Sequence, residues 1–258
     1  MSSRVGIIVP TLGTRPEFLK QCLESIRDAG SAHICVVAPK DINLRNFVDS
    51  GQVDQVVVDP GHGLSHAINK GFESLPGDID YINWLGDDDL LAPDSISDVA
   101  RILDVEPRTV LVYGSCNYLD DDRGLIWVNK SGQWASKILH FGPDLIPQPG
   151  ALFRRSAFEK VGRLSENLDL AFDFDLILKL KRIGELRFIN KTLSSFRWHS
   201  KSLTVDQRIK SVEEASAVRI SHLPRILKQF SFIWEYPLKK TTLIAGRRVS
   251  ERARRIRK

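Results

Sequence analysis

Four short apolar runs punctuate the first ninety residues: Val5-Gly6-Ile7-Ile8-Val9, Ile34-Cys35-Val36-Val37-Ala38, Gln55-Val56-Val57-Val58 and Tyr81-Ile82-Asn83-Trp84-Leu85. They are too short for buried helices, and most are too continuously apolar for strands with one wet face. Such runs suit parallel strands covered on both sides. The segments between them have helical spacing. Glu17 to Ala29 places Phe18, Leu19, Cys22, Leu23 and Ile26 on one face and stops at Gly30. Ile42 to Ser50 is a weaker helix, His66 to Ser74 a further one, and Ser95 to Val105 the next. Strand and helix alternating at this rhythm predict an α/β fold, a doubly wound, mainly parallel sheet with helices on both faces.

The fourth run ends on Gly86 and three consecutive carboxylates, Asp87, Asp88 and Asp89, before Leu90-Leu91-Ala92-Pro93 leads into a helix. Acids at the carboxyl end of a strand in an open α/β sheet lie where such sheets bind ligands. Three adjacent carboxylates in a crevice call for a cation, and hard oxygen ligands suit Mg²⁺ or Mn²⁺. A solvated acidic turn that caps the next helix has the same local sequence.

After about residue 108 the rhythm changes. Val110 to Gly114 and Leu125 to Val128 read as strands around the turn Asp120-Asp121-Asp122-Arg123-Gly124. Pro147-Gln148-Pro149-Gly150 precedes a short strand, Ala151-Leu152-Phe153, and a helix begins near Leu170 and runs to Leu180. Leu186 to Ile189 and Thr192 to His199 read as two late strands. Gln207 to Gln229 is mostly helical, with Pro224 as a break. The formal charge of +5 is not spread evenly: Lys239 to Lys258 hold nine Lys/Arg and one Glu, a net of +8, so the rest carries −3. This is an acidic body with a basic tail, and no nucleic-acid-reading motif accompanies the tail. No apolar run of about 18 residues occurs, so no membrane-spanning helix is expected. Met1-Ser2-Ser3-Arg4 lacks a signal-peptide layout. Cys22, Cys35 and Cys116 form neither a disulfide framework nor a zinc pattern, and a cytoplasmic setting is expected.

An ordered series of segments resembles the inverting family 2 glycosyltransferases of GT-A fold. Ile8-Val9-Pro10-Thr11 with Cys22-Leu23-Glu24-Ser25-Ile26 resembles their first strand and helix. Gly63-Leu64-Ser65-His66-Ala67-Ile68-Asn69-Lys70-Gly71 resembles a Gly-Leu-Ser-x-Ala-x-Asn-x-Gly segment. Leu85 to Pro93 resembles the metal-binding acidic motif, and Phe172-Asp173-Phe174-Asp175-Leu176 falls where members carry Glu-Asp-x-x-Leu. Phe196-Arg197-Trp198-His199-Ser200-Lys201-Ser202-Leu203-Thr204 resembles a late Arg-x-His…Ser-x-Thr segment. The resemblance covers roughly residues 4–205. It implies a GT-A domain over 1–205, with a nucleotide-sugar-binding half at 1–107 and an acceptor-binding half at 108–205. Residues 206–258 form a helical extension with a basic tail.

The resemblance implies transfer of a sugar from a nucleotide-diphosphate-sugar, UDP- or dTDP-linked, to a saccharide or lipid-linked acceptor with inversion, in a bacterial polysaccharide or O-antigen setting. Asp88 and Asp89 fall at the metal-ligand positions, with His199 as a further metal or phosphate contact. A divalent cation held there neutralises the charge that develops on a departing diphosphate. Pro10, Thr11, Leu12, Arg15, Gly63, Leu64, Ser65, Asp87 and Asp88 fall on the nucleotide side, although Ser65 also reads as an ordinary helix N-cap. Asp173 aligns with the family's base and takes the acceptor's proton; it also reads as a cap of the helix that follows. Gln148-Pro149-Gly150 resembles the acceptor-facing loop, and Trp127, Trp134 and Trp198 are candidates to stack on sugars.

Two departures stand out. Phe172 replaces the acid that normally precedes the base, and Ala38-Pro39-Lys40-Asp41 follows the second strand where many members hold the base or ribose with an acid. These departures keep a non-catalytic nucleotide-sugar or membrane-binding module as the alternative. A sugar-nucleotide pyrophosphorylase would need a glycine-rich phosphate loop, and Pro10 to Arg15 has one glycine. Phe230, Phe232, Ile233, Trp234 and Tyr236 beside the basic tail suit contact with an inner membrane leaflet, and equally suit packing on the domain.

Overall fold

A computed structural model describes residues 4–130, 132–198 and 207–256. The four apolar runs are strands: β1 (Val5–Pro10), β2 (His33–Ala38), β3 (Gln55–Val58) and β4 (Tyr81–Trp84). They pair in parallel in the order β3-β2-β1-β4, with Ile8 opposite both Cys35 and Trp84. Helices α1 (Pro16–Ala29), α2 (Arg45–Asp49), α3 (Leu64–Ser74) and α4 (Ser95–Val105) connect or follow them. Alternate residues of β1 enter separate cores. Ile8 packs with Val37, Ile68, Phe72 and Trp84 on one face, and Ile7 and Val9 pack with Leu19, Leu23, Ile26 and Val99 on the other. Burial on both faces is why β1, β2 and β4 read as unbroken apolar runs, whereas the edge strand β3 leaves Val56 and Val58 exposed.

The second half is mixed. A two-residue strand, β5 (Leu90–Leu91), follows the acids. Then come β6 (Thr109–Leu119), β7 (Leu125–Asn129), α5 (Gly132–Ile138), β8 (Leu152–Arg154), α6 (Arg155–Lys160), α7 (Phe172–Lys181) and β9 (Glu185–Arg197). Strand β8 lies antiparallel between β4 and β6, and β6 runs parallel to β9. The α/β class with helices on both faces is as expected, while the parallel pattern belongs to the first four strands and the β6–β9 pair.

The two late strands expected from sequence are one. Strand β9 crosses Asn190 and Lys191 because its register against β6 shifts there, from Tyr113 opposite Phe188 to Ser115 opposite Thr192. This bulge absorbs the polar residues that looked like a break. Gly150, at φ +82°, makes a close approach to this strand, and a Cβ there would stand 2.9 Å from the Cβ atoms of Leu193 and Ser194.

The extension is helical: α8 (Arg208–His222), α9 (Arg225–Lys228) and α10 (Phe232–Ile256). Pro224 separates α8 from α9, as expected of a residue that cannot continue a helix. Within the described residues the basic tail, from Lys239 to Ile256, is part of α10. A buried ion pair joins α8 to α10. Arg219 Nε donates to Glu235 Oε1 at 2.7 Å, and Arg219 Nη1 reaches the carbonyl of Gly142 at 2.8 Å. Among the described residues no helix is long and apolar enough to cross a membrane.

Candidate active site

Strand order reverses at β1. The chain moves from β1 outward through β2 and β3, then returns to place β4 on the other side. A crevice forms at such a switch point, beyond the carboxyl ends of the strands. The loop after β1 and the turn after β4 therefore meet there. Thr11 Oγ1 donates to Asp87 Oδ2 at 2.6 Å and accepts the N–H of Gly13 at 3.0 Å. Arg15 bridges two acids, with Nη2 on Asp87 Oδ1 at 2.8 Å and Nη1 on Asp88 Oδ2 at 2.5 Å. Pro10 closes β1, and Leu12 is exposed.

The acidic turn is held from three sides. The Cys22 thiol of α1 donates to the carbonyl of Gly86 at 3.4 Å, and Ser25 Oγ accepts the N–H of Leu91 at 3.0 Å. Strand β5 pairs antiparallel with Ser194 and Ser195 of β9, which brings Arg197 against the acids. Its N–H donates to Asp89 Oδ1 at 3.1 Å and its Nε to the Asp88 carbonyl at 2.6 Å. Its remaining nitrogens reach Gln21 and the Asp121 carbonyl, and its guanidinium lies 4.2 Å from the Phe18 ring centre. Gly86 gives the acids room, for a Cβ there would stand 3.0 Å from Asp88 Oδ1 and 3.2 Å from Asp89 Oδ2. Burial, with Asp88 and Asp87 adjacent, pushes the Asp89 carboxyl well above its ordinary range. A buried carboxyl crowded by like charge is one that a cation would stabilise.

The oxygens of Asp88 and Asp89 suit a hard divalent ion, which would displace Arg15 from Asp88, while Asp87 also binds Thr11. Among the described residues, no three acids, histidines or cysteines already stand in a ligating group. His199, the third expected ligand, lies outside the described residues.

Asp173 sits in the first turn of α7, half-buried, with Oδ1 accepting the N–H of Phe174 at 2.8 Å. Asp173 is therefore not the helix cap: the N-cap position is Ala171, and the Asp173 contact is to the next residue within the first turn. Burial, with a smaller contribution from Glu214, raises its carboxyl to about 6 against the opposing backbone hydrogen bonds. A second acid, Asp144, stands near it. Burial and the Asp173 charge push Asp144 well up, and Ile146 N–H donates to it at 3.3 Å. The Tyr118 phenol, raised by burial, lies within electrostatic reach of both Asp144 and Asp89. Asp144 and Tyr118 escaped the sequence reading, because neither belongs to a motif or a helical face.

Gly63 is the N-cap of α3, with φ +109°, and Leu64 is the first helical residue. Ser65 is therefore not the N-cap. Its hydroxyl is buried toward the Leu168 carbonyl at 3.4 Å. Asn69 holds the same loop, donating to Leu164 O at 3.0 Å and Glu166 Oε1 at 2.9 Å. This segment braces residues 164–168, the approach to α7. Gln148 is also structural in its contacts, donating to Asn83 Oδ1 at 2.8 Å and Trp84 O at 2.7 Å. Of the tryptophans, Trp198 donates to Ser250 Oγ at 3.1 Å, and Trp134 is exposed on α5. Trp127 lines a groove of about 450 Å³ against α10, with Ile244, Arg248 and Arg252.

Comparison with known proteins identifies the family and the fold. The family model described as Glycosyl transferase family 2 matches residues 6–162. An uncharacterized glycosyltransferase of Rickettsia typhi is 28% identical over 177 residues, 65% of this chain and 54% of that protein. An O-antigen biosynthesis protein of Myxococcus xanthus is 24% identical over 201 residues, 68% of this chain and 14% of that protein. The chain thus spans about half the length of the first of these relatives and a small part of the second. Among solved structures, a mannosyltransferase from Pyrobaculum calidifontis in complex with GDP-Man and Mn²⁺ superposes with a TM-score of 0.65 at 16% identity, covering 95% of this chain and 75% of that one. The TarS 1–349 structure from S. aureus gives 0.59 at 12% identity, covering 96% and 92%. These likenesses establish the GT-A fold, and the family match extends over more than half of the sequence: the chain belongs to glycosyl transferase family 2.

Proposed function

We propose that this chain transfers a sugar from a UDP- or dTDP-sugar to a saccharide or lipid-linked acceptor, with inversion and with a divalent cation, in bacterial polysaccharide synthesis. The observation that carries the reading is the meeting of Thr11 and Arg15 with Asp87 and Asp88 at the switch point of the sheet. A donor laid across β1 to β4 puts its nucleotide over Pro10, Thr11 and Leu12 and its diphosphate beside the acids. The cation, on Asp88 and Asp89, supplies charge neutralisation to the leaving diphosphate. Arg15 leaves the carboxylates for the phosphate oxygens.

The acceptor oxygen attacks the anomeric carbon from the side opposite the diphosphate. Asp173 takes the hydroxyl proton as the new C–O bond forms and the C–O bond to phosphate breaks. The nucleoside diphosphate leaves with that electron pair. A carboxyl raised to about 6 is ionised at neutral pH yet basic enough to accept a proton in the transition state. Residues 1–107 form the donor half of the domain and 108–205 the acceptor half. Exposed Phe230, Phe232, Ile233 and Tyr236, followed by Lys239 and Lys240, favour contact with an anionic membrane surface and a lipid-linked acceptor.

The test is a thermal-shift panel of UDP, dTDP, GDP and CMP and their common sugar conjugates, each with and without Mn²⁺. A ligand that binds only the folded state raises the midpoint by mass action. One nucleoside diphosphate shifting the midpoint, more so with metal, is the expected result and selects the donor. No shift with any of them, in folded protein, sinks the transferase reading in favour of a non-catalytic module.

A further inference from the structure

Helix α7 carries Asp173 in its first turn, yet its N-cap, Ala171, has no side chain able to cap. The free N–H groups ahead of the helix are satisfied from far along the chain. Glu214 of α8 accepts three successive backbone N–H groups: Asp169 at 2.9 Å and Leu170 and Ala171 at 2.6 and 2.7 Å. A carboxylate is well suited to this place, since it accepts several strong hydrogen bonds and lies at the positive end of the helix dipole. The rest of α8 is locked to the same helix. His222 Nε2 meets Asp175 Oδ1 at 2.7 Å, and Arg182 Nη2 reaches the His222 carbonyl at 2.9 Å. Arg219, paired with Glu235, lies over the Phe174 ring. Residues 163–258 lie outside the family match, so this brace lies outside the segment that defines the family.

We propose that Glu214 is a positioning residue for the transfer reaction: by clamping the backbone of Asp169, Leu170 and Ala171 it fixes the first turn of α7 and so the placement of the Asp173 carboxylate. The proposal rests on the reading of Asp173 as the base. The charged groups around Asp173 are Asp144 from the loop before β8 and Glu214 from α8. Asp175 is occupied by His222 and Lys179, and Arg219 offsets the charge of Asp144. The Glu214 charge raises Asp173, so its removal lowers that midpoint. Loosened packing would admit water and lower the midpoint as well, so Glu214→Asp, which keeps the charge, separates the two causes.

The test uses the full chain, Mn²⁺, and release of nucleoside diphosphate from UDP-glucose, dTDP-glucose or GDP-mannose, whichever the thermal-shift panel selects. In Glu214→Gln, kcat is expected to fall at least tenfold, with the donor KM within twofold and the acidic limb of the pH profile moved to lower pH. Glu214→Asp, which keeps the charge on a shorter arm, should leave the limb in place and recover part of kcat. A folded Glu214→Gln protein with kcat within twofold of the unaltered enzyme and an unmoved limb overturns the proposal. If that variant does not fold, hydrogen exchange in the unaltered protein decides: amides of residues 169–171 exchanging at unprotected rates overturn the clamp. Asp173→Asn separates the two claims. Turnover retained in that variant removes the base reading and the proposal with it, whereas undiminished turnover in Glu214→Gln beside a dead Asp173→Asn removes only the clamp.

Discussion

The backbone N–H of Arg197 donates to Oδ1 of Asp89 at 3.1 Å, joining the end of the last strand to the acidic turn 108 residues earlier. The Arg197 side chain is 1% exposed and distributes its donors over the Asp88 carbonyl, the Asp121 carbonyl and Gln21. A lysine there keeps the charge but has a single point of donation on a flexible stem, and it cannot replace the planar fork. Arg197→Lys is expected to destabilise the protein by about 3 kcal/mol, the range for breaking a buried charge network. Urea unfolding should show a lower midpoint at unchanged slope. An unchanged midpoint would show that the guanidinium contributes nothing beyond its backbone contact.

Asp88 shares Arg15 with Asp87, so a cation that takes its carboxylate must displace that guanidinium, whereas Asp87 is also held by Thr11 and Asp89 by Arg197. Asp88→Ala should weaken metal-dependent nucleotide binding at least tenfold, or about 1.4 kcal/mol. Titration calorimetry with the selected nucleotide, with and without Mn²⁺, reads this directly. Equal affinity in both conditions for the variant and the unaltered protein would refute the metal assignment.

Much of this site was legible because its parts are local. Tyr81 to Asp89 carries both signals: a strand buried on two faces and the charge cluster that ends it. The helical face of α1 was read correctly because Leu19, Cys22, Leu23 and Ile26 share one buried stripe. Long-range partners left no periodic trace. Glu214 reads as one more acid on a polar helix, and Asp144 sits in an irregular stretch between α5 and β8. Asn190 and Lys191 looked like a strand break because the bulge that absorbs them depends on β6. The basic tail gave no sign in its charge of what its helix packs against, yet Glu235, Ser250 and their partners dock it.

Asp173 predicts an opposition between stability and turnover. Folding raises its carboxyl to about 6 from an ordinary 3.8, so the folded protein holds the proton more tightly than the unfolded chain. The folded state is therefore favoured below the ordinary value, and that advantage is lost as pH rises through about 6. Asp173→Asn cannot ionise and escapes the loss. Its unfolding free energy should exceed that of the unaltered protein at pH 8 by up to about 3 kcal/mol for a shift of this size, seen as a higher Tm, and the two should converge by pH 4. Turnover should fall 10²- to 10⁴-fold, the usual range for losing a general base. In the unaltered enzyme kcat/KM should decline as pH falls through about 6. A variant no more stable at pH 8 than at pH 4, relative to the unaltered protein, would show that Asp173 is not strained in its ionised form.

Arg15 stands between Asp87 and Asp88 and competes with any cation for their oxygens. Its removal should act in opposite directions on two ligands. In Arg15→Ala the freed carboxylates repel one another, and Mn²⁺ alone should bind several-fold more tightly. If Arg15 contacts the donor phosphates as proposed, nucleoside diphosphate with saturating Mn²⁺ should bind this variant about tenfold more weakly. Thr11 still holds Asp87, which keeps the turn in place. Calorimetric titration of each ligand separates the two effects. If Mn²⁺ and nucleotide both weaken, Arg15 serves only to order the acids; if both tighten, it obstructs the site and has no part in holding the donor.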